Sequence, residues 1–113
     1  MSGRLAAHVE AASLIRRAEQ DGGFATVLKR GDTERGSLLL LIASRGVHQA
    51  CLERALTADG SYRWQKLGPD AGSGASEIAD WVHKRTRFDE DSWLIELDVA
   101  EPERFVDEIV AQG

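Results

Sequence analysis

Asparagine is absent from this sequence, cysteine occurs once and proline twice. Each scarcity excludes something. Without asparagine there is no N-glycosylation site. Cys51 alone makes no intramolecular disulfide and no paired C-x-x-C motif, so the fold rests on its apolar core. The longest apolar run, Leu38 to Ala43, falls far short of the roughly 20 residues that span a bilayer. The opening MSGRLAAHVE lacks the apolar stretch of a signal peptide. A cytoplasmic protein without membrane contact is expected.

The signatures of common chemistry are missing too. No G-x-G-x-x-G follows a strand, no G-x-x-x-x-G-K-S/T is present, and Gly72-Ser73-Gly74 is not the G-x-S-x-G elbow of hydrolases. His8, His48 and His83 are scattered without metal-ligand spacing. No cofactor, no metal and no catalytic residue is predicted. A triad assembles from distant residues, so this weighs against an enzyme without closing the question.

What is present is ordinary for a globular chain: 113 residues, 42% apolar and 29% charged. That length suits a single domain over 1–113. The net charge is −5, unevenly placed. Residues 1–87 balance at +3, whereas 88–113 set nine acids against Arg104 alone. A pI near 5.1 argues against nucleic acid, whose phosphates demand cations. The acidic tail is expected to lie near the more basic body.

Periodicity predicts the elements. A helix is expected between Leu5 and Gln20, starting at Leu5 or only near residue 9, with Ala7, Ala11, Leu14, Ile15 and Ala18 inward and Glu10 outward. Four strands follow: 24–30, 37–44, 47–57 and 62–67. The unbroken apolar run of the second implies cover on both faces. In the third, His48, Ala50 and Leu52 oppose Gln49, Cys51 and Glu53. After the flexible stretch 68–76 a helix is expected over 77–86, capped by Ser73 or Ser76. A fifth strand over 92–99 and a helix from Pro102 to about Gln112 complete the chain, the helix inward at Phe105, Val106, Ile109 and Val110. The order α-β-β-β-β-α-β-α makes an α+β fold, a mostly antiparallel five-stranded sheet packed with three helices. Sheet order 5-1-2-3-4 makes every pair antiparallel.

Two polar clusters stand out. The first runs Lys84 to Trp93. Arg85 is placed to stack on Trp81, to reach an anion, or to pair with an acid. Asp89 and Asp91 suit an acid/base pair or turn capping, and Trp93 alternates with Ile95 as core. The second, Lys29 to Gly36, presents Arg30 and Asp32, or is a hairpin whose glycines supply positive φ and whose aspartate caps the turn. Cys51, without cationic neighbours in its strand, reads as structural. His83 reads as solvated.

Several stretches together, Leu14-Ile15-Arg16-Arg17-Ala18, Phe24 to Asp32, Gly36, Arg63-Trp64 and Arg87-Phe88-Asp89-x-Asp91-x-Trp93 with Glu96, resemble the bacterial family catalogued as domain of unknown function 1491. The resemblance implies a small intracellular protein and brings no activity, cofactor or catalytic residue. It draws attention to Arg30, Asp32, Arg87, Asp89, Asp91 and Trp93.

The expected function is a non-enzymatic binding or protein-interaction module, homodimeric or serving a protein partner. The alternative is a small enzyme or sensor holding an anionic small molecule between Arg30/Asp32 and Arg85/Arg87/Asp89, with Asp91 and Trp93 beside it. That alternative requires the two loops to share one end of the sheet.

Overall fold

Alanines at helical spacing let the first helix lie close against a sheet. In the computed structural model, which describes residues 5–112, α1 is Ala7–Gln20 and buries Ala7, Ala11, Leu14 and Ala18. The outermost ends of the expected single domain lie outside the described residues. Glu10, expected outward, is buried instead. Its Oε2 lies 2.9 Å from the Arg54 guanidinium, and that guanidinium stacks over Trp64. A cation from the neighbouring sheet offsets the cost of burying the carboxylate, which a helical wheel does not contain.

The strands are β1 (Phe24–Lys29), β2 (Leu38–Ser44), β3 (Val47–Leu56), β4 (Tyr62–Leu67) and β5 (Trp93–Asp98); the later helices are α2 (Ala75–Thr86) and α3 (Pro102–Ala111). The α+β class, the element order and the mostly antiparallel five-stranded sheet are as expected. The strand order is not: it is β1-β5-β2-β3-β4, with β5 between β1 and β2. β5 pairs antiparallel with β1 and parallel with β2, the one parallel pair in the sheet. The reason is burial. β5 hides Trp93, Ile95 and Leu97 and belongs in the middle, while β1 is largely exposed and tolerates an edge.

On one face Leu38, Leu40, Ile42, Leu52, Ile95 and Leu97 form the main core with α1 and α3. Phe105, Val106 and Ile109 of α3 join it, but Val110, expected inward, is exposed. Arg17 ties the two helices, 3.1 Å from Glu108 and stacked over Phe105. Part of the acidic tail thus meets a basic residue of the body. The opposite face carries Leu39, Leu41 and Cys51, all buried, and α2 crosses it. Every residue from Leu38 to Ala43 is buried within the single chain, so this strand itself calls for no second copy.

Candidate functional site

The loop after β1 and the corner before β5 meet at one end of the sheet. Lys29 organises the junction. Its ammonium lies 3.0–3.2 Å from the carbonyl oxygens of Asp89, Glu90 and Ser92 and from Ser92 Oγ. Asp32 accepts from the backbone N–H of Glu34 and Arg35, which holds its carboxyl below the usual carboxylate range. The Asp32 N–H donates to the Asp91 carbonyl, and Trp93 Nε1 donates to the Asp32 carbonyl at 2.7 Å. Asp89 accepts from Ser37 Oγ and from the Asp91 N–H. The stretch from Lys29 to Gly36 is not a hairpin, because β5 separates β1 from β2. Gly31 and Gly36 do not adopt positive φ either. They serve close approach: a Cβ at either would sit 2.1–2.2 Å from the Asp91 carbonyl oxygen.

Of the residues singled out by sequence, Arg30, Asp32, Asp89, Asp91 and Trp93 therefore come together. Arg30 lies over the Trp93 ring at 5.2 Å. Arg87 lies over Phe88, itself 87% exposed. Arg85 turns elsewhere, stacked over Trp81 and paired with Glu53 of β3, which raises its pKa. Sequence reasoning missed the role of Lys29. A lysine closing a β-strand gives no local signal of carbonyls about sixty residues away.

A second feature arises on the face beneath α2. That helix is fixed along the β3–β4 side by the Arg85–Glu53 pair and by Trp81, whose ring lies where a side chain at Gly68 would reach. Gly74, not Ser73 or Ser76, is its N-cap, and the helix starts two residues earlier than expected. Glycine is an acceptable N-cap, and Glu77 favours the helix dipole in the first turn. Held on one side only, α2 buries none of its residues. The opposite side opens as a groove of about 540 Å³. Leu28, Leu41, Ala43 and Leu94 floor it; Ile78, Ala79 and Val82 wall it. Polar atoms come from His48, Ser73, His83, Thr86 and Glu96.

A β-bulge between Ile42 and Ala43 sets His48 opposite Ala43 and Ala50 opposite Ile42. Strict alternation places His48 and Cys51 on opposite faces; the bulge brings His48 Nε2 to 3.9 Å from Cys51 Sγ. His48 Nε2 also lies 3.1 Å from the Pro69 carbonyl. Burial pushes the Cys51 thiol up to about 11, the opposite of what a nucleophile needs. His83, expected in solvent, is exposed but stands on the groove rim. Among the described residues, no three His, Cys, Asp or Glu side chains gather as a metal site, and no helix is long and apolar enough to cross a membrane.

No curated protein sequence matches the chain. Solved structures resemble it, among them the following three. A protein of the DUF1491 family from Caulobacter crescentus CB15, determined by NMR, is 28% identical, with TM-score 0.75 over 91% of this chain and 94% of that one. A crystal structure from the same organism, also 28% identical, gives 0.74 over 90% and 94%. A solution structure of a protein from A. tumefaciens is 27% identical, with TM-score 0.74 over 91% and 92%. Residues 5–107 match the family described as "Protein of unknown function (DUF1491)", and the chain belongs to that family.

Proposed function

We propose that this chain is a non-enzymatic binding module and that its site is the groove beneath α2. One observation carries the reading: a helix that buries none of its residues roofs about 540 Å³ of mostly apolar space. Sites for small molecules are concave, largely apolar and of this size, with a few polar groups to fix orientation. The ligand is a small molecule with an apolar body. A cytoplasmic setting suits the free, buried thiol of Cys51.

The corner of Arg30, Asp32, Arg87, Asp89 and Asp91 supports an anionic ligand less well. Its two arginines lie over aromatic rings, and four acids, Asp32 and Asp89 to Asp91, crowd the same end of the sheet. Their charge repels an anion.

Ala79→Trp tests the groove. Ala79 is exposed, so the indole fills the space without entering the core. Apolar small molecules are expected to shift amide resonances of Ile78, Val82 and Leu94 in the native protein and not in the variant. Shifts confined to other surfaces, or identical in both proteins, overturn the assignment.

Strand β1 supports a second reading, self-association. It is an edge strand, and Phe24, Val27 and Leu28 are 59%, 43% and 51% exposed. An exposed apolar edge is a template for another strand.

A further inference from the structure

Glu96 lies on β5 between Ile95 and Leu97, both fully buried on the core side, so its side chain projects to the opposite face and lines the groove. Its strand neighbours there are Thr26 of β1 and Leu41 of β2, neither of which carries charge. Among the described residues Glu96 makes no ion pair and no side-chain hydrogen bond. Among the described residues it is the only carboxylate lining the groove, and no lysine or arginine lines it. Lys29 and Arg85 have other partners, the carbonyls of the corner and Glu53, and the titratable groups that share the lining with Glu96 are the imidazoles of His48, held at the Pro69 carbonyl, and His83 on the rim.

A half-buried carboxylate on an apolar floor, without a partner, is costly unless something supplies positive charge and donors. We infer that the ligand of this groove is an organic amine: an ammonium head bound by Glu96 and an apolar tail lying along Leu28, Leu94, Ile78 and Val82. The inference rests on the groove being the site and names the class of molecule it takes. A metal ion is a poor occupant, because one carboxylate without a second acidic ligand does not build a coordination sphere. An organic ammonium satisfies both halves of the lining at once, the charge by a charge-assisted hydrogen bond and the walls by burial. The net charge of −5 adds a field that attracts cations and disfavours carboxylate-bearing analogues.

The probes are octylammonium, octanol and octanoate, which share a chain and differ at the head. Titrated into the native protein and followed by amide shifts and calorimetry, octylammonium is expected to bind at least about tenfold tighter than octanol, the scale of one hydrogen bond to a charged group. Octanoate is expected to bind more weakly than either. Glu96→Gln should bring octylammonium to the octanol level and leave octanol unchanged. Equal binding of amine and alcohol to the native protein overturns the amine assignment while leaving the groove as the site. Absence of groove shifts with every probe removes both. The comparison of head groups on the native chain needs no variant, so it decides the matter even if Glu96→Gln fails to fold. Groove shifts that appear on raising protein concentration alone assign the groove to a second copy and also overturn the proposal.

Discussion

The Asp91 carbonyl oxygen lies so close to Gly31 and Gly36 that neither position has room for a Cβ. Both contacts are to backbone, which does not rotate away as a side-chain tip does. Gly36→Ala is therefore expected to cost about 2–4 kcal/mol, since the strand end or the corner must move. Urea unfolding measures it, and a loss within about 0.5 kcal/mol, the ordinary range for a surface substitution, contradicts the reading. Cys51 provides a second residue-scale expectation. Its thiol, pushed up from 9.0 to about 11 by burial, keeps its proton more tightly in the folded chain than in the unfolded one. That preference favours folding fully below pH 9 and is lost as pH rises towards 11. The stability advantage of the native protein over Cys51→Ala should narrow across that window. An advantage that stays flat from pH 8 to 11 contradicts the burial account.

At the scale of elements, α2 is the least anchored piece of regular structure. It rests on an Arg85–Glu53 pair and a Trp81–Gly68 contact, whereas β2 and β5 lie in the middle of the sheet with buried side chains. Local opening follows buried contact. Amide hydrogens of α2 are expected to exchange well before those of Leu40, Ile42, Ile95 and Leu97, and ligand in the groove should slow α2 selectively. Exchange of α2 at the rate of the sheet centre contradicts this. Element identity was legible because it is local: alternation reveals β5, helical spacing reveals α1, and Pro102 marks the start of α3. The direction of β5 was legible as well. Its position was not, since nothing in the run from Lys29 to Gly36 distinguishes a hairpin from a step over an intervening strand. The distinction lies in contacts of Gly31, Gly36 and Lys29 with a corner about sixty residues away. The groove was hidden for a related reason. Alternation of Glu96 with Ile95 and Leu97 turns it away from the core, but only the one-sided docking of α2 decides what lies over it.

Taken as a whole molecule, the sheet has two edges, and they are unequal. β4, at one end, buries Trp64, half-buries Tyr62 and Leu67 and exposes only Arg63, Gln65 and Lys66. β1, at the other, shows Phe24, Val27 and Leu28, with charge only at Lys29, whose ammonium is turned into the corner. An edge without an outward charge or proline lacks the usual protection against strand pairing. An antiparallel pairing of two β1 strands centred on Thr26 sets Phe24 against Leu28 on one face and Ala25 against Val27 on the other. Each copy then covers the apolar residues of its partner, as a two-fold contact requires. Light scattering after gel filtration is expected to give twice the chain mass at high concentration, falling towards one on dilution. Val27→Lys, which places a charge on the edge at a residue 43% exposed, should shift the protein to the monomer with its unfolding midpoint little changed. The groove separates this reading from that of a ligand module, because Leu28 belongs to both surfaces while Glu96 belongs to one. Val27→Lys should abolish pairing and retain amine binding, and Glu96→Gln should weaken amine binding to the octanol level and retain pairing. A chain of single mass at every concentration leaves β1 without a partner of its own kind.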